Sequence, residues 1–317
     1  MVTEKSAKEQ INLIQQLRED LDGKAQTLTD QHLEQFLIAN NWHLKETREH
    51  LKSALIWRAE NKIDLHPVAT TTNHLPLLCA VRGFTSVQDG NVEAKPGVSE
   101  SVLRIVKNLG GIALHKTDND GCPVYIERLG YHASKNLAKQ TTIEEFVNYH
   151  IGCKEFVNRV LLDECSHTMS KSIRRETIIL DCTGMGWHQL HMPALRYIRV
   201  LSELDDKYYP DAYNKLYIIN APSAFVHVWK IVKGWIHPAT IAKIQIMGSN
   251  YKDTLLQQIP AENLPVFLGG NCTCAHMPGG CVPSHQLKNV PPLEPQPHNE
   301  RTPQVYNTDI MEIVKKA

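Results

Sequence analysis

The 317-residue sequence predicts an α/β fold with a mainly parallel sheet and crossover helices. Three observations carry that expectation. Short, β-branched apolar runs of strand length stand at residues 123–128, 177–182 and 216–219. Longer segments of helical periodicity separate them, at 142–164 and 193–207. Turn-forming clusters such as Asn119-Asp120-Gly121 punctuate the alternation. Strands that alternate with helices favour parallel pairing through right-handed crossovers.

Residues 1–62 read as helical throughout. Ile11, Ile14, Leu17 and Leu21 mark one face of a first helix that stops at Asp22-Gly23. Thr29 or Asp30 can cap a second helix carrying Leu33, Phe36 and Leu37, which Asn40-Asn41 interrupts. A third helix, over about 44–60, presents Leu51, Ala54, Leu55 and Trp57. Three short helices make a small bundle that docks on something larger. Residues 63–113 lack a clear period, and loops with short helices are expected there; 99–111 is ambiguous.

From residue 115 the alternation is clear. The run 177–182 is apolar along most of its length, as in a strand covered on both faces. A strand at 243–247, a helix at 251–258 and the loop at 260–270 complete the pattern. Proline recurs between Pro283 and Pro303, so an extended tail is expected. The organisation is then a helical module (1–62), a main domain (63–285) and a Pro-rich tail (286–317), with a short helix conceivable at 309–316.

The stretch 224–236 is unusual. Its titratable residues are His227, Lys230 and Lys233, three apart on one stripe, while Phe225, Val228, Trp229, Val232, Trp235 and Ile236 cover much of the rest. A helix this apolar is buried or faces something other than water. Thirteen residues are too few to span a bilayer. By itself the pattern fits a core helix or a lid over an apolar cavity.

Lysine plus arginine and aspartate plus glutamate both number 34, which argues against a general nucleic-acid binder. No signal-peptide pattern opens the chain, and eight cysteines read as reduced cytosolic thiols. The sequence carries no nucleophile elbow, Walker loop or H-E-x-x-H, and no complete dinucleotide fingerprint, so no catalytic residue is expected. Cys182, at a strand end, reads as an apolar filler rather than a nucleophile. Cys272-x-Cys274 with Cys281 admits zinc (with His276 as fourth ligand), a disulfide or free thiols. One-residue separation strains a shared tetrahedral ion, so free thiols are favoured and no metal is expected.

Three ordered segments carry a family resemblance: HKTDNDGCPVYIERLG from His115, YYPDAYNKLYIINAPSAF from Tyr208, and GSNYKDTLLQQIPAENLPVFLGGNCTC from Gly248. They resemble the CRAL-TRIO lipid-binding domain, and in particular the fungal and plant phosphatidylinositol transfer proteins, over about residues 5–285. The resemblance implies a sheet that floors an apolar lipid pocket, preceded by the helical module. It implies that 224–236 is a gate, with Phe225, Val228, Trp229, Val232, Trp235 and Ile236 on it and Gly269-Gly270 as hinge support. Lys243, Asp211, His237 and Thr240 fall where relatives hold the lipid headgroup, and Tyr125, Glu176 and Ile178 fall on the pocket. The chain departs from the pattern at Asp211, where relatives more often show Glu, at His237, where they often show Asp, and in two further places. Asn40-Asn41 stands where relatives place a basic pair. Glu176 and Ile178 replace two hydroxyl residues that bind phosphatidylcholine, so exchange of that lipid is not expected.

The resemblance thus implies a non-enzymatic carrier with no cofactor beyond a bound phospholipid, phosphatidylinositol. It would exchange that lipid at membranes or present it to a phosphatidylinositol kinase, supporting phosphoinositide signalling and vesicle trafficking. It would be cytoplasmic and transiently at Golgi, endosomal or other membranes. The alternatives are a carrier of a sterol, another apolar molecule or haem, and a regulatory module that recruits partners through the tail.

Overall fold

The computed structural model describes residues 5–21, 28–66, 77–78, 84–88, 91–94, 100–186, 192–223, 225–275 and 280–282. The tail at 286–317, with its short helix, and His276 lie outside them.

The helical module comprises α1 (Ala7–Glu19), α2 (Asp30–Ala39) and α3 (Leu44–Glu60). Ser6 and Glu9 form a capping box on α1, and the Thr29 side chain caps α2, as its position predicts. Leu17, Leu33, Leu37, Leu51 and Trp57 are buried together with Val147, Ile151, Val200 and Leu204 from two later helices. The bundle therefore shares one core with the rest of the chain. Trp57 stacks on Tyr208 with ring centroids 3.8 Å apart. Arg58 donates both terminal nitrogens to the fully buried Glu155 at 2.9 Å, and Tyr209 Oη donates to the same carboxylate at 2.8 Å. Removing one partner of such a pair would strand a buried charge.

Strand β1 (Leu77–Leu78) and the antiparallel hairpin β2 (Phe84–Gln88) and β3 (Asn91–Ala94) come next, then α4 (Glu100–Leu109). The sequence reading expects only loops and short helices here. It also misses β4 (Ile112–Thr117), because Ile112, Ala113 and Leu114 are all buried and show no alternation. Strand β5 (Pro123–Arg128), β6 (Glu176–Asp181), β7 (Tyr213–Ile219) and β8 (Ile244–Ile246) follow, interleaved with helices. The six-stranded sheet runs β1-β4-β5-β6-β7-β8; β1, β4 and β5 pair antiparallel, while β5 through β8 are parallel. The α/β expectation holds.

Helix α5 (Ser134–Gln140) leads to α6 (Ile143–Phe156), which starts at a Thr142–Glu145 capping box. A π-helical turn (Val157–Leu161) joins α6 to α7 (Leu162–Met169), so the long helix runs past the expected end at 164. Helix α8 (Met192–Tyr208) crosses between β6 and β7. The segment after β7 is α9 (Phe225–Val232), a 3₁₀ turn (Lys233–Trp235) and α10 (Pro238–Ile241); α11 (Lys252–Gln258) follows β8.

Register sorts the parallel strands into two faces. Ile126, Ile179 and Tyr217 lie side by side and are buried against Leu255, Ile259, Leu264 and Leu268, from α11 and the loop behind it. On the other face Tyr125, Ile178, Leu216 and Ile244 form one row, and Glu127, Leu180, Ile218 and Ile246 the next. Among the described residues, no helix is long and apolar enough to cross a membrane.

Candidate functional site

The site is built on that second face. Tyr125 and Leu180 are on the inner strands β5 and β6, yet both keep part of their surface accessible, as do Leu216 and Ile244. Ile178 and Ile218 beside them are buried. Apolar side chains in the middle of a sheet stay accessible only where the layer above does not close. Tyr125 packs at the meeting of two helix-side clusters, one around Phe156 and Leu161, the other around Ile105 and Phe146.

Helix α9, the gate that the resemblance implies, packs on α8. Val228 and Val232 are buried on Leu195 of α8, with Trp229, Trp235 and Ile236 partly buried beside them. No strand residue belongs to this cluster. Five of the six gate residues that the resemblance implies therefore come together, and Phe225 does not join them. His227, Lys230 and Lys233 all point outward, confirming the single polar stripe. Val226 (55% exposed) and Ile231 (51%) stand on the same outer side. The helix is held by one apolar seam and bares apolar groups and cations to the exterior.

The polar corner lies at the starts of β6, β7 and β8. Asp211, almost wholly buried, takes Arg175 on one carboxylate oxygen and Lys243 Nζ on the other, the latter at 2.5 Å. Lys243 also donates to Tyr213 O at 2.5 Å. Burial lowers the Lys243 pKa, and Asp211 works against that shift. Gln35 of α2 donates to the Arg174 and Asp211 carbonyls, at 2.9 and 3.4 Å, so the helical module buttresses the corner. His237 caps α10 through Nδ1, and backbone bonds carry the turn on through Thr240 to Lys243. Two cations on one carboxylate leave a formal surplus of one positive charge. The sequence reading places Lys243 and Asp211 here but not Arg175, although the adjacent pair Arg174-Arg175 ahead of a strand was a visible signal.

Glu176 is 5% exposed and accepts from Lys154 Nζ at 2.8 Å. Arg174 pairs with Asp163. Lys154 lies close to Tyr213 Oη (3.2 Å) and Asp205 (3.6 Å), and Asp205 accepts from Tyr213 Oη at 2.6 Å and lies 2.7 Å from His150 Nε2. Burial opposes the charge on Lys154, but Asp205 and Glu176 outweigh it and hold its pKa well above normal. Burial likewise works against the Asp205 carboxylate, and His150 and Lys154 lower its pKa despite it. Next in the chain, Asp206 is pushed up to about 7 by burial and then by Asp205, and it accepts from His237 N at 3.0 Å.

Gly269 and Gly270 lie in the layer around Leu264 and Leu268, on the face of the sheet that Ile126 and Ile179 share. Gly269 has φ 98°, and a Cβ on Gly270 would stand 2.1 Å from Leu264 O. Gly269 needs glycine for its left-handed backbone, and Gly270 for its close approach to the Leu264 backbone. Cys182 is buried, with its thiol pushed up to about 12, first by burial and then by Asp181, which suits a filler rather than a nucleophile. Cys272, Cys274 and Cys281 do converge, and His115 of β4 joins them.

Comparison with known proteins gives a consistent picture. A family model described as the CRAL/TRIO domain matches residues 107–270. Over 260 residues the chain is 33% identical to the phosphatidylinositol/phosphatidylcholine transfer protein SFH11 of Arabidopsis thaliana, covering 80% of this chain and 61% of that one, less than two thirds of the relative's length. It is 34% identical over 259 residues to the Sec14 cytosolic factor of Schizosaccharomyces pombe, covering 82% and 79%. The crystal structure of Sfh5 superposes with a TM-score of 0.55 at 14% identity, over 79% of this chain and 84% of that one, a likeness of fold.

Proposed function

The chain belongs to the CRAL/TRIO domain family, and from that membership we propose that it binds a phospholipid, phosphatidylinositol, and exchanges or presents it at membranes by opening α9. What supports this reading above all is the partly open apolar face under α9, bordered by a corner with surplus positive charge. Each CH₂ left in water costs about 0.8 kcal/mol, so a diacyl lipid leaves a bilayer only into an apolar enclosure. An anionic phosphodiester fits Arg175 and Lys243, with Arg175 taking the part of the basic pair that Asn40-Asn41 replaces. His237 and Thr240, one turn ahead of Lys243, would complete the headgroup contacts. Tyr125, Ile178 and Leu216 would line the acyl path. Glu176, committed to Lys154, offers no hydroxyl to a choline headgroup, so phosphatidylcholine is not part of the proposal.

The outer side of α9 suits a bilayer surface: Val226 and Ile231 can enter the headgroup boundary while Lys230 and Lys233 meet anionic lipid. The reading extends to a cytosolic protein that visits Golgi or endosomal membranes, lacks catalysis and hands phosphatidylinositol to a lipid kinase. The test is extraction and mass spectrometry of co-purifying lipid, with vesicle transfer by wild type, Lys243→Ala and Arg175→Ala. Phosphatidylinositol in the wild type and transfer reduced about tenfold or more in each variant are expected, the loss of one charge-assisted contact. A sterol or haem in the extract, or transfer indifferent to both substitutions, would overturn it.

A further inference from the structure

Four side chains outside the lipid site meet on the opposite face of the sheet. His115, Cys272, Cys274 and Cys281 each offer one donor atom, and these atoms all lie within 4.8 Å of one another. All four residues are buried, His115 completely. His115 Nε2 is 3.3 Å from Cys274 Sγ, and Cys272 Sγ is 3.3 Å from Cys274 Sγ. A tetrahedral zinc with Zn–S of about 2.3 Å needs sulfurs about 3.8 Å apart, so the observed spacing requires only slight adjustment.

We propose that these residues form a structural Cys₃His zinc site that fastens the segment after Gly270 to β4. The donor set is decisive for the ion: three soft thiolates and an imidazole select zinc over magnesium or calcium, which take oxygen ligands. Four protein ligands leave no open position, which marks a structural site rather than a catalytic one. Binding would release the three thiol protons to solvent, with no change of oxidation state.

Two features of the surrounding chain support it. His115 alternates with Leu114 along β4, so it shares the face of Ala113, the face that α11 and the following loop cover. A bulge between Leu114 and Thr117, with Lys116 at φ 53°, follows the histidine directly. The imidazole's Nδ1 has no hydrogen-bond partner among the described residues, and Nε2 has only a sulfur. A buried ring served so poorly is costly, and a metal at Nε2 would replace its weak sulfur contact with a ligand bond. On the other strand of chain, Pro265 and Cys272 form a β-bridge, Cys274 takes the left-handed φ of 46°, and Cys281 Sγ donates to Cys272 O at 3.3 Å. The short Cys-x-Cys spacing that disfavours zinc in the sequence is accommodated by that left-handed residue, and His115 takes the place the sequence assigned to His276.

The proposal is independent of the bound lipid. Full-length protein, expressed with zinc and purified without chelators under reducing conditions, should carry close to one zinc per chain by elemental mass spectrometry. Replacement by Co²⁺ should give the intense d–d absorption of a tetrahedral thiolate site. Cys281→Ser and His115→Ala should each lower zinc affinity tenfold or more, whereas Cys182→Ser, a buried thiol elsewhere, should keep it. Wild-type protein with neither zinc nor a tetrahedral cobalt spectrum would overturn the proposal, whatever the variants do. So would a disulfide among the three cysteines in the purified chain, or equal zinc loss in Cys182→Ser.

Discussion

The two faces of the sheet are built from the same strands and reach opposite ends. Ile126, Ile179 and Ile219 point one way and are sealed by Leu255, Ile259, Leu264 and Leu268, all fully buried. Tyr125, Leu180 and Leu216 point the other way and stay partly accessible, and the cluster that holds α9 on α8 includes no strand residue. A sheet in an α/β protein is ordinarily covered on both sides. Here one face is closed by fully buried residues of α11 and the loop behind it, while the other keeps accessible apolar side chains. Helix α9 rests on a single apolar seam against α8; under the proposed function that asymmetry would supply a stable floor and a door.

The sharpest test of the comparison uses neighbours on β6. Ile179→Ala, on the sealed face, should cost about 2–5 kcal/mol of unfolding free energy, and Leu180→Ala less than half of that, because a partly accessible side chain leaves a smaller loss. Denaturant titration of both variants measures it; equal losses would mean the second face is closed.

A smaller effect is expected from pH. Asp206, bound to His237 N at the end of the lid segment, has its carboxyl raised to about 7 from an ordinary 3.8. The folded chain therefore holds this proton more tightly than the unfolded one. Its contribution to stability is fully present below about pH 4 and is lost as pH rises toward 7, so Asp206→Asn should abolish that part of the decline. Thermal melting of both proteins between these pH values is the measurement, and parallel curves would remove Asp206 from the account.

The least effect on stability belongs to Ile231→Glu on the outer side of α9. Half-exposed, it should stay within about 0.5 kcal/mol of wild type, while binding to anionic vesicles weakens. Unchanged vesicle sedimentation would show that this side of the lid does not meet the bilayer.

Much of this was legible from local pattern. The His227, Lys230, Lys233 stripe, the cap at Thr29, and the strand at 123–128 each depend on residues a few positions apart, the range over which periodicity and capping operate. Strand β4 was missed because three consecutive buried residues carry no alternation to read. The loss of the basic pair at Asn40-Asn41 was visible in the sequence. The pair Arg174-Arg175 ahead of β6 was equally visible, but the carboxylate that Arg175 meets was not, because Asp211 lies 36 positions away.

The sequence by itself determined the fold class, the helical start and the polar stripe of α9, and family resemblance implied the convergence of Lys243 with Asp211. Tertiary structure alone decided the partners of buried charge and sulfur: Lys154 with Glu176 across 22 positions, Arg58 with Glu155 across 97, and His115 with Cys274 across 159. The reason is physical. Backbone periodicity is a short-range property, whereas which side chains meet inside is set by strand order, register and crossover, through which residues far apart in sequence are packed against one another.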